Sequence, residues 1–170
     1  MARVYYMTTN NSDLTGGADF NRKLEYEYTG AATALSVSIA AASTEVSRCY
    51  TEPLHPGASG SVTGNYTVSV FCSTANANIN GTVTLHRINS AGTIQTSSAA
   101  SSSVSFGTTG AKTFSFTSLS LGTFTSSDRL RVDFSFTNAA AHSASSFGIR
   151  FNDPDSDVIT PFIVRAFVTT

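Results

Sequence analysis

Apolar and polar residues alternate with a period of two along most of this chain. The clearest run is Asp128–Asn138. Leu130, Val132, Phe134 and Phe136 fall on one face, and Arg129, Arg131, Asp133 and Ser135 on the other. Tyr66, Val68, Val70 and Cys72 share a face within Tyr66–Cys72. In Thr82–Arg87, Val83 and Leu85 oppose Thr84 and His86. In Thr113–Thr117, Phe114 and Phe116 flank Ser115. Successive side chains of a strand point to opposite faces, so these segments predict strands with one buried and one wet side. Fainter alternation predicts further strands at Ala2–Thr8, Leu24–Thr29, Thr33–Ile39, Thr44–Tyr50, Ser145–Phe151 and Val158–Thr169.

Turn chemistry separates these segments. Asn89-Ser90-Ala91-Gly92 predicts a hairpin between Val83–Ile88 and Thr93–Ser97. Asn80-Gly81 opens the strand before it. Pro53, Pro56 and Gly57 mark a loop, as does Asn152-Asp153-Pro154. The runs Ala40–Ala42 and Ala139–Ala141 have no helical periodicity around them and read as loop entries or single turns. Ser97–Ser105 reads as a strand edge or a surface loop. About ten short strands without a convincing helix predict an all-β fold, a two-sheet antiparallel β-sandwich of jelly-roll type. At 170 residues the expectation is a single domain over 1–170, with residues 1–14 as an N-terminal arm.

Composition sharpens this picture. Charged residues make up 12% of the chain, about half the usual share. Fifty serines and threonines fill much of the gap. Threonine suits a pleated, half-exposed strand, and hydroxyls keep a wet face polar without charge. Such a face costs less to desolvate than one of lysine and glutamate, so it suits burial against another protein. A net charge of −1 argues against electrostatic binding of nucleic acid. No apolar run reaches the roughly 18 residues of a membrane span. Met1–Leu14 lacks the apolar core of a signal peptide. The expectation is therefore synthesis in the cytoplasm, with Cys49 and Cys72 reduced.

Candidate chemistry is sparse. There is no GxSxG elbow, P-loop, GxGxxG or zinc-ligand spacing. Glu25 and Glu27 share one strand face, whereas a glycosidase pair faces across a cleft. His86 shares its face with Thr82 and Thr84 and reads as wet; His142 reads as a loop residue. The cation-like arrangement is Asp153, Asp155 and Asp157, whose alternate carboxylates could converge on calcium. The competing reading is an Asx-rich turn, because an EF-hand-like loop wants a glycine and a distal glutamate that are not here. No enzyme activity and no cofactor is expected.

Three segments carry a resemblance to a known family. They are RVYYMTTNNSDLTGGADFNRKL (3–24), GTVTLHRINSAGTIQTS (81–97) and SDRLRVDFSFTNAAAHSASSFGIRFND (127–153). Together they resemble the small jelly-roll structural proteins of tailed bacteriophages that act as capsid cement or decoration proteins. The resemblance implies a non-enzymatic protein on the capsid exterior. It would bind the major capsid protein as a homotrimer or as a monomer bridging capsomers. Such a protein binds the assembled lattice and stabilises it by mass action. Tyr5 and Tyr6, on opposite faces of the N-terminal segment, are the expected partner-binding anchors. The hairpin and the 127–136 strand also resemble carbohydrate-binding modules. The alternative is therefore a sugar- or receptor-binding module of a phage fibre. The chain has no tryptophan, and Tyr26 and Tyr28 are the one pair placed to form a sugar platform.

Overall fold

The computed structural model of the protein describes residues 3–11, 20–25, 31–51, 60–151 and 153–160. The described residues are all β, with no helix and none long or apolar enough to cross a membrane. Twelve strands run in chain order: β1 (Arg3–Asn11), β2 (Phe20–Glu25), β3 (Thr33–Ile39), β4 (Thr44–Thr51), β5 (Gly60–Thr74), β6 (Ile79–Ile88), β7 (Ile94–Ser97), β8 (Val104–Ser105), β9 (Gly110–Phe124), β10 (Arg129–Asn138), β11 (Ser145–Phe151) and β12 (Asp157–Thr160).

The strands form a sandwich. One layer holds β9, β5, β11 and β3, and the other holds β4, β10, β6, β7 and β8. β12, β1 and β2 continue the hydrogen-bonded ladder from the first layer into the second. Pairing is antiparallel throughout, except that β2 runs parallel to β4. β5 is long enough to serve three partners. β9 lies along one edge of it, and β12 and β11 follow one another along the other.

The period-two pattern selects what lies between the layers. Leu130, Val132, Phe134 and Phe136 of β10 are buried, as are Tyr66, Val68, Val70 and Cys72 of β5 and Val83 and Leu85 of β6. Aromatic rings join the layers. Phe114 of β9 meets Phe134 edge-on at 6.1 Å between centroids, and Phe147 of β11 meets Phe136 at 4.9 Å. Phe106 lies edge-on to both Phe136 and Phe147. Edge-to-face pairs of this kind add to the stabilisation from burial. Gly81 makes the space for them: a Cβ there would lie 2.7 Å from Phe106 Cε2.

Local polar chemistry fixes the turns and one sheet edge. Asn89 Oδ1 accepts the N–H groups of Ala91 and Thr93, and Gly92 takes a φ of +82°, so the expected hairpin forms. The serine-rich segment after β7 closes the edge of β6. The Ser98 and Ser101 hydroxyls accept the Leu85 and Val83 N–H groups, each at 2.9 Å. The amides of the same two serines donate back to the Leu85 and Val83 carbonyls at 2.8 Å. The two alanine runs are loops, not helical turns, and Asn138 ties them together. Its buried amide donates to the Ile39, Ala40 and Ser143 carbonyls and accepts from the Ala140 N–H.

One expectation is corrected here, and another is met with a single exception. Residues 3–11 are not a free arm. They form β1, paired on both edges, from Arg3 opposite Thr160 on one side to Tyr6 opposite Glu25 on the other. Tyr5 is accordingly a core residue, 5% exposed. The expected antiparallel sandwich is present, with one parallel contact where β2, paired to β1, enters the second layer beside β4. β5 and β9 are 15 residues each, more than twice the lengths expected for them. Positive φ values at Ser118 and Gly122 carry β9 through turns of the backbone that interrupt simple alternation.

Phe134→Ala, which removes a ring packed against both layers, should cost about 3–5 kcal/mol of unfolding free energy. Gly81→Ala should cost about 1–3 kcal/mol by overpacking against Phe106. Urea midpoints of both variants, read against the parent, check the two values.

Candidate functional site

The polar side of β10 carries the densest group of charged side chains among the described residues. Register sets it up. Arg131 lies opposite Tyr50 of β4 and His86 of β6, and Asp133 lies opposite Arg48 and Thr84. Directly paired residues share a face, so Arg48, Tyr50, His86, Arg131 and Asp133 all project outward from the second layer.

Asp133 is the hub. Arg131 donates to it twice, from Nε to Oδ1 at 2.6 Å and from a terminal nitrogen to Oδ2 at 2.5 Å. Arg48 Nε reaches Oδ2 at 3.4 Å, and His86 Nε2 lies 3.5 Å from the same oxygen. His86 Nδ1 is 2.7 Å from the Ser97 hydroxyl, which couples β7 to the cluster. Burial opposes ionisation of Asp133. The hydrogen bonds and positive charge of Arg131 and His86 outweigh it and hold the carboxyl at about 2. Burial pushes the Tyr50 phenol up, against the nearby charges of Arg131 and Arg48.

His86 was expected to be wet. It faces outward but is only 8% exposed, because Asp133, Arg131 and Ser97 surround it. A second pair, Arg87 with Asp128, serves the fold. Arg87 donates to Asp128 at 3.3 Å and to the Thr123 carbonyl of β9, and so closes one side of the sandwich.

The aspartates of the β11–β12 turn play different parts. Asp153 Oδ1 accepts the Asp155 N–H at 3.0 Å, an Asx turn, while Oδ2 lies 3.7 Å from Arg150. Asp155 is exposed. Asp157 pairs in register with Tyr6. Burial raises its carboxyl, a Ser69 hydrogen bond opposes that, and the Asp155 charge adds to it. Among the described residues no three His, Cys, Asp or Glu side chains group to hold a metal. The turn is tied to the sheet instead by Ser156, whose hydroxyl donates to the Arg150 carbonyl and accepts the Phe71 N–H.

Cys49 and Cys72 are buried thiols in opposite layers, with no disulfide between them. Burial pushes the Cys72 thiol up. His142 is exposed in the loop after β10. Tyr6 is half-buried in β1. Tyr26, Tyr28 and Glu27 lie outside the described residues, as does the side chain of Glu25.

A shallow groove of about 220 Å³ opens on the first layer, where β3, β11 and β5 run side by side. Ser36, Ser73, Thr74 and Ser146 line it around Gly148. A Cβ on Gly148 would lie 2.6 Å from Ser73 Oγ, so the close approach of β5 requires glycine here.

No protein-family model and no curated protein matches the sequence. Among solved structures the chain is similar to a CocE/NonD family hydrolase from Staphylococcus aureus. Two structures of it overlap at TM-scores of 0.59 and 0.60 with 9% and 10% identity. The overlap covers 96% of this chain but 36% and 37% of the hydrolase, so the chain spans little more than a third of that protein's length. Identity this low shows a shared β-sandwich fold and carries no activity across. Structures of infectious bursal disease virus Gx strain and of a VP2 subviral particle of infectious bursal disease virus overlap 88% of the chain. Their TM-score is 0.38, with 9% and 10% identity, a level that does not establish a common fold.

The low carboxyl of Asp133 makes a signed prediction. Its contribution to stability is present above the unfolded value of about 4 and is lost as pH falls through about 2. Asp133→Asn should cost about 3 kcal/mol at neutral pH, because Arg131 loses its buried partner. The variant should also show a flatter fall in stability between about pH 4 and pH 2. Urea unfolding across that range checks both.

Proposed function

We propose that this protein is a non-enzymatic virion structural protein, a cement or decoration protein that docks as a homotrimer on the major capsid lattice. The observation that carries the reading is the outer face of the first layer. Register places Thr113 and Ser115 of β9, Ser69 of β5, Ser146 of β11 and Ser36 of β3 on one broad surface. Arg150, stacked 4.8 Å above the Phe71 ring, is its one described arginine. Hydroxyls on a sheet face lose little on desolvation and are rigidly spaced, which suits close contact with another protein. A lattice-bound protein of this kind is present in many copies, so each contact need only be modest to stabilise the shell. Arg48, Arg87, Arg131, Asp128 and Asp133 are engaged in ion pairs within the second layer and its edge, away from this face.

A second reading is supported by the groove around Gly148. Its size and its four hydroxyls suit a single sugar ring, and this would make the chain a glycan- or receptor-binding module of an appendage.

Cosedimentation with empty capsid shells of the encoding phage separates the two readings. Saturable binding to expanded but not unexpanded shells is expected for the lattice reading. Absence of binding to either shell, together with a specific signal on a glycan array that Gly148→Ala abolishes, would favour the groove.

A further inference from the structure

We infer that the open edge of β9 pairs antiparallel with β9 of a second copy of this chain, about a two-fold axis at Thr113, so that the first layers of the two copies form one continuous sheet. The inference goes beyond the reading above and does not depend on it. The contact is two-fold and separate from the three-fold contact of a trimer.

A strand carries N–H and C=O groups on both edges, and each finds a partner in protein or in water. The chain covers the outer edge of β6 from end to end. β7 pairs with His86, Arg87 and Ile88, Ser98 and Ser101 bond Leu85 and Val83, and β8 pairs with Gly81 and Asn80. β9 is different. It runs along β5 in unbroken register, from Gly110 opposite Cys72 to Phe116 opposite Tyr66, and β5 is its one ladder partner among the described strands. Among the described residues, no turn backbone or side chain bonds the other backbone edge of Ala111–Phe116. The far end of β9 is closed, because Arg87 donates to the Thr123 carbonyl. Gly60, where the described chain resumes after β4, is opposite Phe124 at that same far end.

The open stretch lacks the features by which strands prevent edge pairing. It contains no proline, and the irregularities of the β5–β9 ladder lie outside it. Ala111, Thr113 and Ser115 are exposed on its outer face and carry no charge. Its charged residue, Lys112, shares the inner face with Phe114 and Phe116, is 8% exposed, and donates to the Thr108 hydroxyl.

These properties select a second copy as the occupant. A two-fold axis at the midpoint of the stretch sets Thr113 against its own counterpart and Ala111 against the counterpart of Ser115. Lys112 then falls opposite the counterpart of Phe114, so no like charges meet directly across the new ladder. An unrelated peptide strand gains specificity from side-chain pockets, and the groove around Gly148 lies beside β3 and β11 rather than β9. The axis stands perpendicular to the sheet. Both outer faces therefore stay on one side, and their serines and threonines form a single wider surface.

The test is cross-linking of the whole protein by a short bismaleimide, read on a denaturing gel. Thr113→Cys places one exposed thiol per copy at the axis. Ser38→Cys, exposed on β3 at the other edge of the layer, is the collision control, and the parent controls for its two buried cysteines. Thr113→Cys should give a covalent dimer about tenfold more abundant than Ser38→Cys does, because directly opposed Cβ atoms of paired strands lie about 5 Å apart. Thr113→Lys, which sets like charges against each other at the axis, should weaken self-association about tenfold in sedimentation equilibrium. Circular dichroism of the three variants should match the parent, since both positions are exposed. Cross-linking of Ser38→Cys as strong as that of Thr113→Cys would overturn the inference, as would Thr113→Lys sedimenting as the parent does. The species that Thr113→Lys leaves behind, trimer or monomer, decides the homotrimer reading; a cross-link confined to Thr113→Cys decides the β9 contact.

Discussion

Phe136 is the contact on which the two layers depend. Its ring lies 5.4 Å from Phe106, 4.9 Å from Phe147 and 5.9 Å from Phe134, which in turn reaches Phe114 across the sandwich. These rings come from β9, β10, β11 and the segment after β8, so they hold together strands that are distant in sequence. With no tryptophan in the chain, phenylalanine supplies the large buried surfaces, and 12 of them are present. Their packing also dictates a small residue. Gly81 exists in β6 because Phe106 occupies the volume that a side chain would need.

Outside that core, hydroxyls do much of the work that charge does in other proteins. Ser98 and Ser101 complete the hydrogen bonding of β6, and Ser156 joins the last turn to β5. Thr51 caps the Leu130 N–H between β4 and β10. A serine hydroxyl both donates and accepts, so it substitutes for a missing strand without the desolvation cost of an ion. The charged residues that remain are gathered into a few pairs. Asp133 shows how strongly such a pair is held once it lies between strands rather than at the surface.

Much of the fold was legible because periodicity reports directly on burial. β3 and β11 match their expected bounds residue for residue, and the core face of β10 is the one the alternation indicates. What alternation does not encode is pairing. It placed Arg131 and Asp133 on one face but said nothing of Arg48 and His86, which join them only through the register with β4 and β6. The same lack of register made His86 look wet and the first residues look like an arm. A polar strand such as β1, with Thr8, Thr9 and Asn10 in sequence, carries little apolar signal, and its place is fixed by neighbours on both sides. The extra length of β5 and β9 was hidden by Ser118 and Gly122, whose positive φ breaks the period that would have revealed it.

The pairing of β1 with β12 also sets the order of events during synthesis. Among the described strands β1 leaves the ribosome first and β12 last, yet Arg3 ends beside Thr160. Until then one edge of β1 and the β12 side of β5 wait without that partner. Contacts so far apart in sequence form slowly and leave strand edges exposed to other nascent chains. The described ladder therefore closes only after translation has passed β12, and a message truncated before that point yields a chain that lacks the strand lying between β1 and β5.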